Sequence, residues 1–208
     1  MHERARYDRE AIDAVLDAGL VAHLGFVSDG QPYVIPTLHA RVGDRVYVHG
    51  SAASRTLRAL GDGIAACLTV TLLDGIVLAR SVFEHSMNYR SVVVLGTAVP
   101  VSDPDEKLVA LEALTERLLP GRWAEARQPT VKELKATSIL HLPLDEASAK
   151  IRDGGPDDGA TPDAELDVWA GHVPLVVQAL APVPDPALRP GIDVPPGLEP
   201  YRREGLVP

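Results

Sequence analysis

The sequence predicts a mainly β chain with added helices, an α+β fold in which six or seven short antiparallel strands form a small closed or partly closed barrel. Three observations carry that reading. Apolar runs of strand length recur along the chain, separated by Asp-Gly or Gly-Asp pairs at 29–30, 43–44 and 74–75; such pairs supply the positive φ that tight hairpins demand. Helix signals are few. Proline is crowded toward the end, with twelve of eighteen in the last 66 residues, and each proline removes an amide donor and fixes φ.

The elements follow in order. Asp8 is placed to N-cap a short helix whose apolar stripe is Ala11, Ile12, Val15 and Leu16, with Gly19 as its stop. A strand over 20–27, a turn at Ser28-Asp29-Gly30-Gln31 and a returning strand over 33–42 make a hairpin. Gly43-Asp44 turns the chain into a strand over 45–48, and Ser54 opens a short helix over 54–60. A buried strand over 64–73, a turn at Asp74-Gly75 and a strand over 76–82 come next, then a strand over 91–101 interrupted by Gly96 and Pro100.

Asp103-Pro104-Asp105-Glu106 starts a longer helix with an N-cap acid, an early proline and a capping-box glutamate. Leu108, Leu111, Leu114 and Leu118 share one face of it, and Pro120-Gly121 ends it. Thr130 and Glu133 form a second capping box, and 138–144 alternates as a last barrel strand. Eight prolines from Pro182 to Pro208 exclude regular helix or central strand there. The chain thus divides into a barrel domain over 1–180 and a proline-rich C-terminal arm over 181–208, whose Leu188, Ile192, Val194 and Leu198 favour a wrapping arm.

Composition narrows the function. Twenty Lys and Arg against twenty-nine Asp and Glu leave a net charge of -9, which repels phosphate backbones and anionic lipid and argues against nucleic-acid or membrane partners. The longest apolar run, 64–73, is short of the roughly 20 residues that span a bilayer. The opening Met-His-Glu-Arg carries no apolar signal-peptide core, so a cytoplasmic protein is expected. Cys67 is the single cysteine, which excludes an internal disulfide and a multi-cysteine zinc site. Seven histidines are scattered singly, without the helical spacing of a metal cage. Gly61-Asp62-Gly63-Ile64-Ala65-Ala66 matches a dinucleotide fingerprint, yet it follows a helix and opens a strand, the reverse of what pyrophosphate binding requires.

Three polar clusters remain. In Tyr47-Val-His-Gly-Ser-Ala-Ala-Ser54-Arg55-Thr56, a strand ends in small residues and a helix begins with hydroxyls and a cation. Free N–H groups at a helix start, with Ser51, Ser54, Thr56 and Arg55, offer either a cradle for one phosphate group or an ordinary Ser-capped surface helix. Glu84-His-Ser-Met-Asn88-Tyr89-Arg90-Ser91 holds the only asparagine of the chain. It is able to hydrogen-bond a heteroaromatic ring or an anion, or to cap a barrel end as a polar loop. Asp167-Val-Trp169-Ala-Gly-His-Val-Pro174 sets one large aromatic before two small residues, as a platform for a flat ligand or as a barrel plug.

Together the ordered motifs resemble the FMN-binding split-barrel superfamily that includes pyridoxamine 5′-phosphate oxidase, most closely its flavin-nucleotide-binding, nitroimidazole-resistance-like branch. The matching stretches are Tyr33-Val-Ile-Pro-Thr-Leu-His39, Val46-Tyr-Val-His-Gly-Ser-Ala-Ala-Ser-Arg55, Cys67-Leu-Thr-Val70 and Ser86-Met-Asn-Tyr-Arg-Ser-Val-Val-Val-Leu-Gly96. Pro120-Gly-Arg122, Glu133-Leu-Lys-Ala-Thr137, Ser148-Ala-Lys-Ile-Arg152 and Trp169-Ala-Gly-His-Val-Pro174 complete the set.

The resemblance implies a split-barrel homodimer with FMN in clefts between subunits. Ile35, Pro36, Thr37 and Leu38 would run along the flavin ring. Val48, His49, Gly50, Ser51, Ser54, Arg55 and Thr56 would take the ribityl chain and phosphate. Asn88, Tyr89, Arg90 and Ser91 would close the site, in part from the other chain, and Trp169 would press on the cofactor. Thr56 stands where the vitamin-oxidising members carry lysine, and Arg55 where the nitroimidazole reductases carry histidine, which turns the expectation away from both activities. What it implies instead is an FMN-dependent oxidoreductase moving hydride or electrons from NAD(P)H to a small organic acceptor. The alternatives are a flavin store or sensor without turnover, and a haem- or deazaflavin-binding barrel with His49 or His85 as axial ligand.

Overall fold

The computed structural model describes residues 4–53 and 63–198, and its strands form one antiparallel sheet that curls on itself. In chain order these are β1 (Ala5–Arg6), β2 (Val21–Ser28), β3 (Gln31–Val42), β4 (Arg45–Ser51), β5 (Ala65–Leu78), β6 (Ser86–Thr97), β7 (Val99–Pro100), β8 (Thr137–Pro143), β9 (Glu146–Arg152) and β10 (Gly171–Pro174). The strands lie side by side as β1-β9-β6-β5-β2-β3-β4-β8-β7, with β10 on the edge of β5 beyond the reach of β2. β3 is shared between the two halves: it pairs with β2 up to Val21↔Leu38 and with β4 from His39↔Val48 onward. The far strands then meet, Gly96 of β6 facing Pro143 of β8. Six strands therefore enclose a partly closed barrel, the split-barrel α+β architecture expected.

Helix α1 (Arg9–Ala18) plugs one end. The Asp8 carboxylate accepts from the Ala11 amide at 2.9 Å, and Gly19 N–H closes the helix on the Val15 carbonyl. Its buried Ile12, Val15 and Leu16 meet inward side chains such as Leu24, Leu68, Val70 and Leu140. Each such residue contributes on the order of 1.5–3 kcal/mol on burial. Gly19 is required by packing, since a Cβ there would overlap Val70 Cγ1. Helix α1 has no basic residue in its last turn. Arg117 supplies one from helix α2 (Pro104–Leu118), donating to the carbonyls of Leu16, Asp17 and Gly19.

Asp103 caps α2 through the Asp105 amide. Glu106, expected to complete that cap, turns instead to the barrel: it accepts from Tyr47 Oη at 2.9 Å and from Arg45 at 2.6 Å. Tyr47, Val101, Ala110 and Ile139 form a second, smaller core beneath α2. Two short helices follow, α3 (Arg122–Glu125) and α4 (Val131–Ala136), the latter with the complete Thr130–Glu133 capping box.

The structure corrects several sequence expectations. Asp74-Gly75 is a bulge inside one continuous strand, β5, and no separate strand runs over 76–82. The return strand begins at Ser86, so Asn88, Tyr89, Arg90 and Ser91 stand on β6 and not on a loop. β1, β9 and β10 carry no signal that separates them from loops. The helix expected over 54–60 lies outside the described residues. The arm has no regular strand through residue 195, and Leu188, Ile192 and Val194 stay exposed. Among the described residues no helix is long and apolar enough to cross a membrane.

Candidate functional site

Hairpin geometry decides which backbone groups β3 offers. Two-residue turns at Asp29-Gly30 and Gly43-Asp44, with positive φ at Asp29, Gly30 and Gly43, make Ser28↔Gln31 and Val42↔Arg45 the closing hydrogen-bonded pairs. Odd residues of β3 therefore bond to β2, and even residues point their N–H and C=O toward the β4 side. Pro32 and Pro36 fall at even positions, where β2 needs no donor from them. Register with β4 begins only at His39, so among the described residues no strand pairs with the outward N–H groups of Val34 and Leu38 or the carbonyls of Val34 and Pro36. This open edge alternates donors and acceptors. Ile35, Thr37 and Leu38 around it are half-buried and Pro36 is exposed. The Thr37 hydroxyl is spent locally, on the Leu38 carbonyl at 3.2 Å.

The end of β4 lies beside that edge. Val48 is buried in the barrel core, so its side chain is removed from any cleft and only its backbone is left to a ligand. His49 stands on the outer face, where partial burial lowers its pKa and keeps the ring neutral. Gly50 is half-buried, and exposed Ser51 accepts the Ala53 amide at 3.2 Å. Ser54, Arg55 and Thr56 lie outside the described residues.

The second cluster is engaged within the chain. Asn88 is buried, its amide donating to the Gly154 carbonyl at 2.9 Å and its Oδ1 accepting from Arg152 at 2.7 Å. Arg90 makes a two-pronged bond to Asp74 across the bulge, at 2.9 and 2.7 Å, which raises its pKa. Tyr89 carries Lys150 Nζ 5.7 Å over its ring, and Ser91 donates to the Lys150 carbonyl at 3.4 Å. The register sets Ser91 three strands from Leu38 on the outer sheet face, about 14 Å apart along the sheet. Within one chain the two clusters do not meet.

Trp169 is 65% exposed and its ring lies over Gly171, where a Cβ would come within 3.0 Å of the indole. The remaining histidines differ in availability. His39 is buried and bonded through Nε2 to the Leu16 carbonyl at 3.0 Å. His85 accepts the Ala79 amide on Nδ1 at 3.1 Å, which places the proton of the neutral ring on Nε2 and leaves no lone pair there for iron. His23 and His172 are exposed. Among the described residues no group of three His, Cys, Asp or Glu converges as a metal site. Sequence reading missed Asp74 and Arg152, because an ion pair or hydrogen bond formed across a sheet leaves no local spacing to find. Asp74 also looked like a turn residue.

Residues 8–151 match the model of the family described as pyridoxamine 5′-phosphate oxidase. Among solved structures, the flavocytochrome Anf3 from Azotobacter vinelandii is 43% identical, with a TM-score of 0.90 over 97% of this chain and 93% of its own. The FAD and heme binding protein from Mycobacterium smegmatis is also 43% identical, with a TM-score of 0.89 over 94% of this chain and 96% of its own. Comparison with curated proteins gave no match.

Proposed function

The chain belongs to the pyridoxamine 5′-phosphate oxidase family, and from that premise we propose that it is a flavin- and haem-binding redox protein that works as a homodimer. The observation that carries this reading is the 43% identity, over nearly the whole of both chains, to a flavocytochrome and to an FAD- and haem-binding protein. In place of the FMN that the family resemblance implies, the second of these relatives favours FAD.

The chain's own residues fit a flavin. The open edge of β3 offers N–H groups at Val34 and Leu38 and a carbonyl at Pro36, a donor–acceptor order that suits the pyrimidine edge of the ring. Ile35 and Leu38 supply apolar contact. Gly50 and Ser51, running into the 54–56 turn, take the chain that leaves the ring. For the haem, His49 at the end of β4 is the candidate ligand, its pKa lowered by partial desolvation, which favours the neutral form an iron ligand needs. When bound, the pair of cofactors links two-electron chemistry at the flavin to one-electron chemistry at the iron. The protein positions them and excludes water.

The outer face of the sheet supports the dimer reading: Val21, Val27, Leu73, Ile76, Met87 and Leu95 there are each 42–52% exposed, an apolar expanse suited to a second copy. A partner folded over that face brings its own Tyr89–Ser91 segment toward the first chain's β3 edge, closing the 14 Å gap that one chain leaves.

The test is the absorbance spectrum of the purified protein, followed by anaerobic addition of NADH or NADPH. Flavin bands together with a Soret band, both shifting on reduction, are expected. A flavin that reduction by nicotinamide leaves untouched would identify a store. A colourless protein that neither cofactor reconstitutes would overturn the assignment.

A further inference from the structure

We propose that a cavity between β1 and the end of β9 is a binding site for a compact oxyanion, distinct from the open β3 edge assigned to the flavin. The cavity has a volume of about 400 Å³ and is lined by Arg4, Arg6, Ile151, Arg152, Asp153 and Asp157. Three guanidinium groups against two carboxylates leave one net positive charge there, in a chain whose total is -9.

Arg152 is the centre of the site. It is 5% exposed, yet its two bonds of normal length go to neutral acceptors: Asn88 Oδ1 at 2.7 Å and the Gly155 carbonyl at 3.1 Å. Its nearest carboxylate, Asp157, stands at 3.6 Å and is held more closely by Arg4, at 3.1 Å. Among the described residues Arg152 Nε has no hydrogen-bond partner. A buried cation compensated this incompletely is costly unless an anion shares the cavity. Asn88 and Gly155 meanwhile fix the guanidinium plane, which pre-orients its fork for an oxyanion. Arg6 reaches the same cavity with no side-chain bond to any described residue, so it is available to a ligand. Asp153 works in the opposite direction: its carboxylate lines the cavity and repels an anion.

The arrangement suits a compact ligand bearing two or more negative oxygens, with phosphate and carboxylate as the candidate groups. Titration calorimetry on the cofactor-loaded protein at low salt, with inorganic pyrophosphate and citrate as separate probes, tests it. Saturable binding of one probe per chain is expected, weakened about tenfold or more in Arg6→Gln and strengthened several-fold in Asp153→Asn. Both variants leave Arg152 and its Asn88 contact alone, so flavin content should be unchanged. Preference for pyrophosphate would identify a phosphate ligand, and preference for citrate a carboxylate. Absence of saturable binding by either probe, or binding indifferent to both substitutions, would overturn the site whatever the cofactor content proves to be.

Discussion

At the scale of single residues, contacts across the fold decide what the sequence left open. Gly19 reads as a helix stop, but its smallness is fixed by Val70, far along the chain on β5. Gly19→Ala is expected to cost about 1–3 kcal/mol through overpacking, read as a lower urea midpoint with unchanged slope. His141 is a second case. Burial beneath α2 lowers its pKa, Arg45 nearby lowers it further, and Glu106 opposes. The unfolded chain therefore binds the proton more readily than the folded one. Stability from this group is complete above the ordinary value of 6.5 and falls as the pH drops through it toward the lower folded value. His141→Gln should reduce the loss of melting temperature between about pH 7 and pH 5. An unchanged slope would show that His141 does not titrate with folding. Spacing alone places neither residue, because burial is a property of the assembled barrel.

At the scale of elements, local chemistry was legible wherever it acts within a few residues. Asp8, Asp103 and Thr130 cap the helices they were expected to cap. Asp103→Ala should cost about 1 kcal/mol, measurable by chemical denaturation. The two-residue turns set the β2–β3 and β3–β4 registers as expected. Asp74-Gly75 deceived the reading because one dipeptide serves both a turn and a bulge; Arg90 on the next strand, and β10 laid against Gly75, decide between them. The short strands β1, β9 and β10 were invisible because their pairing, not their composition, makes them strands. The open edge of β3 yields a direct prediction: Leu38→Pro removes an outward N–H that the β2–β3 ladder does not use. Flavin affinity should fall about tenfold while far-UV circular dichroism stays unchanged. Val34→Pro repeats the test five residues before the β4 register, and full affinity in both variants would detach the flavin from this edge.

At the scale of the whole molecule, the barrel and its family were legible in the ordered motifs, and residues 8–151 carry that match. A single chain holds the two polar clusters apart, a separation that the ordered motifs do not reveal, and the 54–56 turn lies outside the described residues. Apolar side chains also stay uncovered from the end of β10 into the arm, where Val176, Val177, Leu180 and Val183 are 57–91% exposed. Sedimentation equilibrium should accordingly give twice the 22.2 kDa chain mass; a monomer at micromolar concentration would remove the inter-subunit cleft. The most direct measurement is chemical identification of what the protein carries. Denaturing the purified chain and analysing the released small molecules by mass spectrometry should yield FAD and haem, each near one per chain. Release of FMN without haem would contradict the flavocytochrome reading, and release of neither flavin would contradict the account as a whole.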